Sequence, residues 1–180
     1  MKIEHPDRFK TGTRVLLLKG RHKDGIEKER AIVRVTHSVE HFNKSLFEMI
    51  QMVAVGERIY SSAGERSMPK AIREFKHRQL DADYDDDPEM FYRAINERWV
   101  ASLMQVTSQA DKLWLFDCDT ESDEQDAMRE LLQHYDRPEA PYRYRTKSGM
   151  HIVVQPFDRT KLSESVRKLI QDNALLLWWY

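Results

Sequence analysis

Two stretches decide the fold: DKLWLFDCDTES (residues 111–122) and RTKSGMHIVV (residues 145–154). In the first, residues 113–117 form a short apolar run that stops at Asp117, as expected of a buried strand. Behind it, Ala127, Met128, Leu131 and Tyr135 recur at helical spacing, so residues 121–135 read as a helix. In the second, residues 142–147 alternate Tyr-Arg-Tyr-Arg and read as a strand. Ser148-Gly149 is a tight turn, and residues 151–155 return as another strand. Leu162, Val166, Leu169 and Ile170 share one helical face, which predicts a helix over 162–171. The apolar run at 174–180 reads as a closing strand.

The element order is therefore β-α-β-β-α-β, the split βαβ pattern of ferredoxin-like and RNA-recognition-type units. Such a sheet has strand order 4-1-3-2. The end of its first strand then lies beside the starts of the third and fourth. Asp117, Asp119, His151 and Asp172 are expected to converge at that rim. Asp117 and Asp119 are two apart, so they are expected to point to the same face. Two close carboxylates call for a cation, and hard oxygen donors suit Mg²⁺ or Mn²⁺ bound together with phosphates. The competing reading is that the pair caps the helix beginning at Glu121. Arg143, Arg145 and Lys147 alternate onto one face of the second strand. They are candidates for holding a triphosphate or a nucleic-acid backbone, or they belong to a solvated edge.

Working outward, residues 14–19 and 31–36 read as strands flanking a charged RHKDG turn (21–25). Ser38 is an N-cap for a helix carrying Phe42, Leu46, Met49, Ile50 and Val53. A short strand follows at 58–62. A second helix starts at Ser67-Pro69 and buries Ala71, Ile72 and Phe75. A third, longer one runs from Pro88 through Phe91, Ile95, Trp99, Leu103 and Met104. The expected class is α/β (α+β). It is a single domain over 1–180, with a helical and β lobe at 1–110 packed on the βαββαβ lobe at 111–180.

Composition narrows the function classes. The 180 residues are 41% hydrophobic and 33% charged, with a formal net charge of −1. A core is affordable, and nucleic-acid contact would need local basic faces. The single Cys118 excludes an intramolecular disulfide framework. The polar start MKIEHPDRFK has no signal-peptide core, and no apolar run reaches the ~20 residues of a membrane span. The expectation is a cytoplasmic protein without a membrane partner. Nothing in the sequence sets an oligomeric state.

LWLFDCD (113–119) followed by KSGMHIVV (147–154) resembles the first two motifs of the archaeo-eukaryotic primase (primase-polymerase) superfamily. Those motifs are a hydrophobic strand ending in D-x-D, then a small residue followed closely by x-H on a later strand. The resemblance implies that Asp117 and Asp119 hold the divalent metal and that Ser148 and His151 contact the incoming nucleotide's phosphates, helped by Arg145 and Lys147. The family's third motif is a late acidic residue, for which Asp172 is the first candidate and Asp158 the second. RIYSSAGERSMPKAIREFK (58–76) and NALLLWWY (173–180) are similar to small phage-borne members, which would place the protein in the host cytoplasm. The implied function is nucleotidyl transfer in DNA replication or repair. Its partners would be a nucleoside triphosphate and single-stranded or primed nucleic acid. The alternative is a non-catalytic nucleic-acid-binding or replication-accessory protein with a degenerate primase fold.

Other motifs compete less well. His37-Ser38-Val39-Glu40-His41 fits H-x-x-E-H, but Ser38 as helix cap leaves His37 outside the helix. FDCDTES (116–122) resembles the haloacid-dehalogenase nucleophile motif, yet Thr120 comes one position early. The acidic segment 81–89 lacks the glycine and ligand spacing of an EF-hand. Trp178 and Trp179 are candidates for base stacking, but alternation turns only one inward and strand docking accounts for the run. Cys118, between two aspartates, is a poor thiolate.

Overall fold

The computed structural model describes residues 1–20, 30–84 and 88–180. The charged turn at 21–25 and part of the acidic segment, residues 85–87, lie outside them. The fold is α+β, with two four-stranded sheets and two compact units. One unit is Met1–Asp111 with Leu176–Tyr180, and the other is Lys112–Leu175. No described helix is long and apolar enough to cross a membrane.

The first unit is built on β1 (Arg14–Gly20), β2 (Ala31–Thr36), β3 (Glu57–Ser62) and β8 (Leu175–Trp179), in the order β2-β1-β3-β8. Ser38 caps α1 (Val39–Met52) by accepting from the His41 amide. The helix buries Phe42, Ser45, Leu46 and Met49. Helix α2 (Met68–Tyr84) buries Ala71 but leaves Ile72 exposed, against expectation. The long third helix is broken. Ala94 leaves helical geometry (φ −106°, ψ 27°), so α3 (Pro88–Arg93) is separate from α4 (Ile95–Leu103), and Ile95 faces solvent. A cluster of Val15, Ala71 and Leu103, lined by Val33, Val35, Met68, Trp99 and Met104, joins α2 and α4 to the sheet.

The second unit contains β4 (Trp114–Cys118), α5 (Glu121–His134), β5 (Tyr142–Arg145), β6 (Met150–Val154), α6 (Glu164–Lys168) and β7 (Ile170–Gln171). Its sheet order is β5-β6-β4-β7, antiparallel throughout. Helices α5 and α6 cover one face over a core of Phe116, Cys118, Ala127, Leu131, Met150, Ile152, Val154, Phe157, Leu162 and Val166.

The fourth strand corrects the sequence reading. Residues 162–171 are not one helix: α6 spans only Glu164–Lys168, and Ile170–Gln171 turns into the strand beside β4. The run expected to fill that place, residues 174–180, instead forms β8 and joins the first unit's sheet. The cause is side-chain burial. Trp178 is 1% exposed, lies 4.4 Å from the His5 ring and 4.8 Å from Phe42, and donates its indole N–H to Ser61 Oγ at 2.7 Å. The Ile3 amide donates to Trp178 O, and His5 Nε2 lies 2.8 Å from Leu177 O.

Trp178→Ala is therefore expected to cost ~3–5 kcal/mol, the usual loss for deleting a buried tryptophan. Trp179→Ala, at a half-buried position, should cost well under half of that. Denaturant melts of the two variants check this.

Candidate functional site

The site is built on the register of three neighbouring strands. Asp117 of β4 lies opposite His151 of β6, and His151 lies opposite Tyr144 of β5. Paired residues share a face, so these three side chains line up across the sheet, away from the helix-covered side. His151 Nε2 stands 3.0 Å from Asp117 Oδ1. On the other side of the ring, Nδ1 is 2.6 Å from the Tyr144 hydroxyl. In the neutral imidazole, Nε2–H donates to the carboxylate and Nδ1 accepts from the phenol. Gln171 completes the row from β7, donating Nε2–H to Asp117 Oδ2 at 2.9 Å. Each Asp117 oxygen thus accepts a hydrogen bond that fixes the carboxylate plane. Asp117 still keeps 38% of its side-chain surface open, against 13% for His151.

Asp119 lies just past the end of β4 and is exposed. It does not cap the following helix, and neither does Asp117. Thr120 takes that role: its Oγ1 accepts from the Asp123 amide, and Asp123 accepts from the Thr120 amide in return.

The second motif sits directly against the first. Thr146 closes the β5–β6 turn by donating its amide to Gly149 O and accepting the Gly149 amide at Oγ1. A Cβ on Gly149 would fall 2.0 Å from Cys118 O and 3.1 Å from Asp119 Cα. Only glycine allows the turn this close to the D-x-D backbone. Ser148 and Lys147 are exposed on that turn.

Other expected members do not join. Asp172 pairs with Arg159 at 3.4 Å rather than standing beside Asp117. Asp158 caps a short 3-10 turn, accepting from the Thr160 amide and hydroxyl, which hold its carboxyl below the usual range. Arg145 lies opposite Met150, and Arg143 opposite Ile152. Both partners belong to the helix-side core. The arginines therefore face away from Asp117 and cannot serve a nucleotide bound there. His37 and His41 are 6.2 Å apart by ring centroid, and Thr13 Oγ1 is 3.3 Å from His37 Nδ1. No group of three or more His, Cys, Asp or Glu side chains placed to hold a metal ion occurs among the described residues.

The donor set bears directly on the expected cation. Both ring nitrogens of His151 already have partners within the sheet, so His151 orients Asp117 instead of meeting a cation or phosphate. Among the described residues, Asp117 and Asp119 are the carboxylates at this end of β4 that the expectation assigns to a cation; Mg²⁺ and Mn²⁺ bind one or two carboxylates and take phosphate or water oxygens for the rest. Tyr144 and Gln171 escaped the sequence reading. Tyr144 lies opposite His151 because the turn is centred on Lys147-Ser148, one residue earlier than the expected Ser148-Gly149 turn, which would have set Tyr144 opposite Val153. Gln171 was hidden inside an expected helix.

Cys118 is buried between the aspartates on the opposite face. Burial first, then Asp123, Asp117, Glu124 and Asp119, push its thiol up to about 12. The folded protein should resist iodoacetamide at pH 8 and react readily once unfolded, which mass spectrometry of labelled protein would show. Gly149→Ala should destabilise the fold by ~1–3 kcal/mol, the typical cost of overpacking. Thermal melts read that loss.

Comparisons with protein-family models, curated proteins and solved structures found no match to this chain.

Proposed function

We propose that the chain is a primase-polymerase-like protein that binds a nucleotide together with Mg²⁺ or Mn²⁺ at the Asp117–Asp119 end of β4, and acts by nucleotidyl transfer in DNA replication or repair. The observation that carries this reading is the 3.0 Å pairing of His151 with Asp117 across β4 and β6. It joins the two motif halves at one sheet rim and leaves the carboxylate oriented and partly open. A divalent cation there would neutralise charge on the nucleotide's phosphates. Asp117 and Asp119 would hold it. His151 and Gln171 keep the Asp117 carboxylate from rotating. Ser148, on the turn seated against Asp119, would donate to phosphate oxygens.

The non-catalytic reading has its own support. Asp172 is engaged by Arg159, so the rim has two carboxylates where the family motif would bring three. Under that reading the chain binds nucleotide and nucleic acid without turnover. Incubation with labelled NTPs or dNTPs, Mn²⁺ and primed or unprimed template separates the two: extended product supports transfer, and bound but unextended nucleotide supports the accessory role.

The nucleotide site at Asp117 and Asp119 requires the cation. Mn²⁺ at ~100 times its Kd should stabilise the native state by about 2.7 kcal/mol through mass action. The double variant Asp117→Asn, Asp119→Asn should lose that shift while keeping a cooperative melt. A full shift in the double variant would move the cation elsewhere and end this assignment.

A further inference from the structure

The register that builds the rim also turns two cations, Arg143 and Arg145, away from it. Arg143 and Arg145 lie on the helix side of β5, and β5 is the terminal strand of its sheet. Both are exposed, and exposed Lys147 follows in the turn. Residues two apart on a strand are separated by ~6.7 Å, so the arginines form a row pitched along an extended chain. Cations elsewhere in this unit mostly have carboxylate partners: Arg129 with Asp126 at 2.8 Å, Lys168 with Glu164 at 2.7 Å, and Arg159 with Asp172. Among the described residues, none of Arg143, Arg145 and Lys147 is in an ion pair. No exposed large apolar side chain lies within 142–149.

We propose that single-stranded nucleic acid runs along the outer edge of β5 with its phosphates on Arg143, Arg145 and Lys147. The chemistry selects this partner. Guanidinium forks match phosphate oxygens in pairs. An extended polyanion follows an extended strand. A peptide partner would want apolar anchors, which this edge lacks. Charged side chains also guard edge strands against sheet-to-sheet pairing, and the experiment must separate that role from binding. The inference rests on the reading of the chain as a nucleic-acid-handling protein, and adds a strand path on the opposite face from the cation site.

The test uses the full chain and a labelled single-stranded oligothymidylate, followed by fluorescence anisotropy across a salt series in EDTA. Binding should weaken with salt. Arg143→Ala, Arg145→Ala and Lys147→Ala together should flatten the slope of log K against log salt by about 2, since each phosphate neutralised on a single strand contributes roughly 0.7. A control removing the same charge from helix ion pairs, Arg93→Ala, Arg129→Ala and Lys168→Ala, should keep the parent slope. Melting curves confirm that both variants fold. No binding by the parent, an unchanged slope in the first variant, or equal displacement of the oligonucleotide by polyglutamate would overturn the proposal. EDTA removes the cation from this experiment, so its failure is distinct from failure of the Mn²⁺ stabilisation test.

Discussion

The pairing of Asp117 with His151 across β4 and β6 is the constraint from which the second unit follows. Side chains alternate with period two, so this register assigns every residue of both strands to a face. Phe116, Cys118, Met150, Ile152 and Val154 turn toward α5 and α6. Asp117, His151 and Tyr144 turn the other way. A slip of one residue would drive a carboxylate and an imidazole into the helix-side core. Gly149 secures the register from the turn end, since a side chain there would collide with Cys118 O.

The polar row also satisfies its own hydrogen-bonding demands. Tyr144 is 7% exposed, and a buried hydroxyl without a partner costs more than a formed hydrogen bond returns. His151 meets that demand at Nδ1 and passes the chain of bonds on to Asp117. Gln171 anchors the other carboxylate oxygen. The row spans all four strands, so the orientation of Asp117 depends on the whole sheet and not on one loop. On the other face, burial first and then four nearby carboxylates push the Cys118 thiol up.

Much of this was legible in the sequence. The D-x-D run and the YRYR alternation are local patterns that mark β4 and β5, but the turn lies one residue earlier than expected, and the pairing that brings Asp117 to His151 joins strands separated by α5 and β5. Faces were harder. Alternation puts Arg143 and Arg145 on one face of the second strand, but it does not say which, and the register pairs Arg145 with Met150 on the face away from Asp117. Periodicity also failed at 162–171: Leu169 and Ile170 continue a helical stripe, but the helix ends at Lys168. The destination of β8 was not legible at all. A run of Leu and Trp announces a buried strand, but not which sheet buries it. That choice was settled by His5, Phe42 and Ser61, over a hundred residues earlier.

The export of β8 explains why the rim lacks a third carboxylate. Had residues 174–180 paired with β4, Asp172 would have entered that strand close to Asp117. Instead the chain meets β4 earlier, with Leu169 O accepting from the Asp117 amide and Ile170–Gln171 forming a two-residue strand. Only three residues then separate β7 from β8, and Asp172, first of the three, turns to Arg159. The position that topology would have given to a carboxylate is taken by the amide of Gln171. An amide adds no charge to an already acidic rim and donates where a carboxylate would repel. The exchange puts a hydrogen-bond donor on Asp117 where the expected topology would have put a second charge.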